Sequence, residues 1–270
     1  MGIGHQAQPG FHRELTWSDV WPALRLYPRL DFAPLMTSRG CPGHCPYCAS
    51  NILFPSFAQR PVNDVLAEIE DRHENFGIRD FTFFDDALLI RDETHLTPIL
   101  EGVLSRGLDL RFHAPNGLHV ASITRELAGL MFKAGFKTLR LGLETLDRER
   151  QIGWGGKVST GQFEQAMSHL AEAGFPRGQI GVYLLYGLPG QTLDEVLETG
   201  LAVKAQGGRP YLGEFSPIPG TALWNETKDR SEFDLEAEPL YHNNSFFPCR
   251  EPGFSWEKVQ EIKRRILNAD

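Results

Sequence analysis

The stretch FGIRDFTFFDDA, Phe76 to Ala87, reads as a helix end, a glycine, an apolar run and a pair of aspartates. Before it, Val62, Val65, Leu66, Ile69 and Phe76 recur near helical spacing, and Gly77 stops the pattern. The order of helix, glycine and strand then repeats. Gly107 precedes LDLRFH, Gly135 precedes FKTLRLGLE, Gly174 precedes FPRGQIGVYLLYG and Gly207 precedes GRPYLGEFS, at intervals of 30, 28, 39 and 33 residues. That period fits βα units, because each carries an apolar strand run and one amphipathic helix without the signatures of solenoid repeats.

Thr192 with Glu195 forms a capping box, and Phe163, Ala166, Met167 and Leu170 make a stripe that ends before Gly174. With FAPLMTS as the first strand, six strands are predicted near 33–38, 80–84, 109–113, 137–143, 179–185 and 210–216, with five helices between them. The fold class is α/β with a mainly parallel sheet. Six units are too few for an eight-unit barrel, which leaves an incomplete (β/α)6 barrel or an open doubly wound sheet. Residues 1–30 and 222–270 read as extensions on a core of 31–221. In the second, Val259, Ile262 and Ile266 form a stripe expected to pack on the chain's own core.

The chain has 270 residues, 41% hydrophobic and 23% charged, which is ordinary for a folded domain. Lysine and arginine total 27 against 35 acidic residues, a net charge of −8, so nucleic-acid binding driven by a broad basic face is disfavoured. No signal-peptide core and no apolar run of membrane-spanning length is present, and the expected location is cytoplasmic. In a reducing compartment, clustered thiols point to metal or redox chemistry rather than disulfides.

Both candidate architectures bind ligands at the carboxyl ends of the strands. There stand the loop with Cys41, Cys45 and Cys48, then Asp85 and Asp86, then His113 and Asn116 in HAPNG, then Glu144, Gly187 with Gly190, and Pro217 with Pro219. Lys157, in GWGGKVST, is a cation beside a glycine-rich turn that can approach an anion, or a solvated loop lysine. His113 and Asn116 bind a ligand or hold the turn around Pro115 and Gly117. The glycines of YGLPGQT lack the lysine of a phosphate loop. Three thiolates at CxxxCxxC spacing can hold three irons of a 4Fe-4S cluster and leave the fourth open. The alternative is a structural zinc site with His44 or Cys249 as fourth ligand. Cys249 itself reads as a buried side chain, a radical-quenching thiol or a further ligand.

The CxxxCxxC loop with Tyr47 before the last cysteine, after the first strand of a six-unit repeat, resembles the radical S-adenosylmethionine (SAM) superfamily from about Asp31 to Thr221. The resemblance implies an incomplete barrel and a 4Fe-4S cluster on Cys41, Cys45 and Cys48. It implies reductive cleavage of SAM to methionine and a 5'-deoxyadenosyl radical that abstracts hydrogen from a substrate. It places Tyr47 near the adenine of SAM and Gly187 in the segment approaching adenine, with Glu144 at the ribose or amino group. FFDDA occupies the position of a glycine-glycine-glutamate stretch, so Asp85, Asp86 or backbone carbonyls would meet the amino group.

LDFAPLMTSRGCP, LRLGLET, LLYGLPGQT and SPIPGT are most similar to the branch whose members often carry an N-terminal cobalamin-binding domain. Its DxHxxG signature is absent; Asp71, His73 and Gly77 approach it with one residue too many. Cobalamin is then not used, or comes from another chain or another part of a longer protein. The implied partners are a low-potential donor such as flavodoxin or ferredoxin and a small-molecule or peptide substrate.

Overall fold

A computed structural model describes residues 21–154, 156–242, 246–249 and 253–269; most of the predicted N-terminal extension, 1–20, lies outside them. In chain order the elements are β1 (Ala33–Leu35), β2 (Ser38–Arg39), α1 (Ser50–Leu53), β3 (Ala58–Gln59), α2 (Val62–Phe76) and β4 (Asp80–Phe83). There follow α3 (Leu96–Ser105), β5 (Arg111–Leu118), α4 (Arg125–Lys133), β6 (Phe136–Glu144), α5 (Arg148–Gly153) and α6 (Thr160–Ala173). The chain continues through β7 (Ile180–Tyr186), α7 (Leu193–Ala205), β8 (Arg209–Glu214), α8 (Ala222–Arg230) and α9 (Trp256–Asn268).

Gly77 ends α2 in the left-handed region at φ 68°, where its N–H reaches the Arg72 and His73 carbonyls, and the chain turns straight into β4. The predicted capping box forms at Thr192–Glu195, and a second, not predicted, forms at Ser159–Gln162.

The six strands predicted from the sequence form one sheet in the order β1-β4-β5-β6-β7-β8, every pair parallel. Sequential order decides between the two candidate architectures. Right-handed crossovers that always step in one direction place all five connecting helices on one face, whereas a doubly wound sheet reverses direction. The sheet is therefore the incomplete barrel, and no closing pair joins β8 to β1 among the described residues.

The helix-covered face is the core. Phe83 stacks on Phe112 at 5.5 Å and on Phe136 at 5.9 Å, against Ile69, Leu100, Met131 and Leu170 from the helices. Each such side chain contributes about 1.5–3 kcal/mol by leaving water. The alternate positions, among them Thr82, His113, Arg140 and Tyr183, face away from the helices and are only partly buried.

Two features depart from expectation. HAPNG is not a loop: β5 runs through it to Leu118, with register shifts at Phe112/His113 and between Ala114 and Leu118 that accommodate Pro115. The first strand also stops at Leu35, and Ser38–Arg39 instead pairs antiparallel with Ala58–Gln59. This two-residue ribbon closes the base of the cysteine loop. It is tied to α2 by the buried Arg60, whose Nη1 lies 2.6 Å from Glu68.

The predicted stripe Val259, Ile262 and Ile266 is buried, and α9 packs on α7 where Gly200 leaves room for Ile266. A Cβ at Gly200 would stand 2.4 Å from Ile266 Cδ1. Gly200→Val is expected to destabilise the fold by about 1–3 kcal/mol through overpacking, read as a lower urea midpoint. Among the described residues no helix is long and apolar enough to cross a membrane.

Candidate active site

The site starts from the end of β1. The Asp85 carboxylate, 3% exposed, accepts from the Thr37 N–H at 3.0 Å, the Thr37 hydroxyl at 2.7 Å, the Ser38 N–H and the Ser38 hydroxyl at 2.6 Å. Four donors from the residues that lead into the cysteine loop converge on Oδ1, and the Thr37 N–H also reaches Oδ2 at 3.2 Å. Asp85, one of the residues expected at the SAM amino group, is thus bonded to Thr37 and Ser38 at the end of the first strand. Asn116 follows the same logic, donating to the Asp85 carbonyl at 3.2 Å, while Asp86 is exposed beside it.

Cys41, Cys45 and Cys48 are all free thiols, partly or fully exposed on the loop between β2 and α1. Backbone N–H groups of Gly43 and Ser50 point at Cys41 Sγ and Cys48 Sγ, both at 3.4 Å. Such donors stabilise sulfur carrying negative charge, as in iron–sulfur sites. Burial pushes the Cys41 thiol up, partly offset by the Gly43 N–H. His119 Nε2 stands 3.7 Å from Cys41 Sγ, and its Nδ1 is buried without a partner. Burial, with Lys157 nearby, holds His119 down to about 4, so it faces the thiol as neutral imidazole at pH 7.

Among the described residues no three His, Cys, Asp or Glu side chains converge closely enough to hold one ion. His44 pairs with Asn51 at 3.1 Å, and Cys249 is buried beside Leu188 and Phe215 with Thr227 O at 3.9 Å. Thiolates that each take a different iron need no such convergence, so the donor set fits a cluster better than zinc.

Glu144 ends β6 at φ 69°, a conformation sparsely populated by non-glycine residues, after a register shift between Gly142 and Glu144. The bend brings Oε1 to 3.3 Å from Lys157 Nζ. Lys157 is mostly buried, which corrects the solvated-loop reading. Burial alone would lower its ammonium, but Glu144 and the Cys45 and Cys41 sulfurs outweigh that and raise it above its ordinary value.

Tyr47 meets Trp154 edge-on at 5.2 Å. Together with Cys45, Glu144, Gln151 and Lys157 they line one small cavity. Gly187 follows β7 at φ 81°, on the strand-end side, with Leu188 buried beside Phe215 and Cys249. The structure thus gathers the cysteines, Tyr47, Glu144 and Lys157 at one end of the sheet. Trp154 and His119 were not found from the sequence; the tryptophan in GWGGK was the only available signal.

His113 is not at that end. It lies within β5, bonded to Asp80 at 3.0 Å and Thr138 at 2.9 Å. The Arg111 guanidinium, then His113, hold the Asp80 carboxyl down to about 2. A depressed carboxyl stabilises the fold above its unfolded pKa and loses that contribution as pH falls through the folded value. The stability gap between the protein and Asp80→Asn is therefore expected to be widest above about pH 4 and to close toward pH 2, measured by urea midpoints.

A three-cysteine loop after the first strand of a parallel incomplete barrel, facing an acid–lysine pair at the fourth, defines a class of metal-cluster α/β enzyme folds. Residues 35–201 match the radical SAM superfamily, and the chain belongs to it. An uncharacterized methyltransferase of Pyrococcus horikoshii is 29% identical over 196 residues, 72% of this chain and 41% of that protein. Cytidylyl-2-hydroxyethylphosphonate methyltransferase of Streptomyces wedmorensis is 28% identical over 112 residues, 41% of this chain and 20% of its own length. The structure of the radical SAM methyltransferase TsrM from Kitasatospora setae, with cobalamin and a 4Fe-4S cluster bound, superposes with a TM-score of 0.62. It is 21% identical and covers 73% of this chain and 39% of TsrM, a likeness of fold. The chain spans well under half the length of each of these relatives.

Proposed function

We propose that the chain binds a 4Fe-4S cluster through Cys41, Cys45 and Cys48 and cleaves SAM reductively. The observation that carries the reading is the loop geometry: three free thiols with N–H···S donors, held at the first strand end against the Glu144–Lys157 pair. When bound, the cluster supplies the electron for the cleavage, drawn from a low-potential donor such as flavodoxin or ferredoxin.

The chain's residues do the rest. Asp85, through Thr37 and Ser38, fixes where the loop leaves the sheet. Lys157 offers a cation to the SAM carboxylate, with Glu144 orienting it and free to accept from a ribose hydroxyl or the amino group. Tyr47, braced by Trp154, supplies an apolar wall for adenine, and Gly187 leaves space beside it. Asp86 and the backbone around it, held by Asn116, are the acceptors for the SAM amino group.

A second reading, methyl transfer with cobalamin supplied from elsewhere, is favoured by the names of both curated relatives. The test is anaerobic reconstitution with iron and sulfide, followed by SAM and dithionite. Release of 5'-deoxyadenosine is expected. A fully reconstituted protein that releases none would overturn the primary reading, and S-adenosylhomocysteine formed only with added cobalamin would establish the second.

A further inference from the structure

The sheet face turned away from the helices is not neutral. At the β6–β7–β8 register layer Arg140, Gly181 and Arg209 stand side by side. Arg140 is partly buried and donates to Tyr211 Oη at 3.0 Å and to the Leu139 carbonyl. Its guanidinium lies 4.3 Å from the centre of the Tyr211 ring, and that of Arg209 lies 5.3 Å from the same ring. Neither arginine is within ion-pair distance of a carboxylate among the described residues. Arg111, further round the same face, differs in being paired with Asp80.

A chain of net charge −8 thus presents two uncompensated guanidiniums converging on one phenol. Guanidinium forks match carboxylate and phosphate oxygens bidentately. Gly181 makes the arrangement possible: a Cβ there would stand 2.5 Å from Arg140 Cδ, so the arginine lies flat across the strand.

We infer that Arg140, Arg209 and the Tyr211 hydroxyl form an oxyanion subsite for the substrate. This rests on the proposed function, which puts the reacting centre near Glu144. Arg140 and Glu144 are four residues apart on β6, about 13 Å at strand rise. The substrate then carries a carboxylate, phosphate or phosphonate at that remove from its reacting atom.

The test uses the full reconstituted chain and arginine-selective labelling with phenylglyoxal, mapped by peptide mass spectrometry, with inorganic phosphate or acetate as competing probe. Arg79, exposed on another part of the surface, is the internal reference. Labelling of Arg140 and Arg209 is expected to slow relative to Arg79. Protection by phosphate alone assigns a phosphoryl or phosphonyl group, and protection by acetate as well assigns a carboxylate.

In Arg140→Lys, and in Gly181→Ala, which displaces Arg140 without changing charge, protection of Arg209 should require about 10- to 100-fold more anion, the range for one charge-assisted bond. No slowing by either anion, or equal protection in both variants, overturns the subsite. SAM cleavage measured on the same preparation separates the two readings. Cleavage without protection removes only the subsite, and protection without cleavage removes only the radical chemistry.

Discussion

Cys41→Ala, Cys45→Ala and Cys48→Ala are each expected to bring 5'-deoxyadenosine release down to the no-protein background, with iron content falling in parallel. No other soft donor can stand in. Cys249 is 3% exposed and contacts the Thr227 carbonyl, and His44 is held by Asn51. His119 Nε2 stands 3.7 Å from Cys41 Sγ and is described against no other loop cysteine. The control is Cys249→Ala, which should retain iron. Full iron content and full release in any single loop variant would refute the ligand assignment. Because the loop is on the surface and its thiols are not part of the core, these variants should keep the folded protein's circular dichroism.

Asp85→Ala carries the largest expected loss of stability, about 3–5 kcal/mol, because it strands buried donors rather than merely removing a contact. Two backbone N–H groups and two hydroxyls converge on this carboxylate, and Thr37 and Ser38 are 0% and 1% exposed, so water cannot replace it. Asp85→Asn keeps one acceptor oxygen and should lose less. The same variants should load iron poorly after reconstitution, since the loop would leave the sheet unanchored. A urea-derived loss below about 1 kcal/mol for the alanine variant would show that the donors find other partners.

Five of the six sheet strands were legible because each follows a glycine at a helix end and is apolar enough to stand out, and the first was read from its apolar run before the cysteines. The sheet order was not, since it depends on crossover direction rather than on any one segment. Pro115 and Gly117 marked HAPNG as a turn, yet β5 absorbs them through its register shifts. The cysteines announced themselves by spacing alone. Asp85 did not reveal its role, because its partners stand 47 and 48 residues away and only the folded register brings them together. Lys157 looked like a loop lysine until Glu144, bent by its positive φ, came within reach. Arg140 was visible as a polar position in the alternation of LRLGLE, but Gly181 and Tyr211, which define its setting, come from two other strands.

The first strand is three residues long and pairs on one side only, with β4. Hydrogen exchange in such an edge segment is governed by local opening rather than by global unfolding. The cysteine loop therefore follows a short edge strand, while β5 to β7 are paired on both sides. On the proposed ligand set, iron and sulfide would then enter or leave a protein that is otherwise assembled, and the amides of Ala33 and Leu35 are expected to slow their exchange once the loop is loaded.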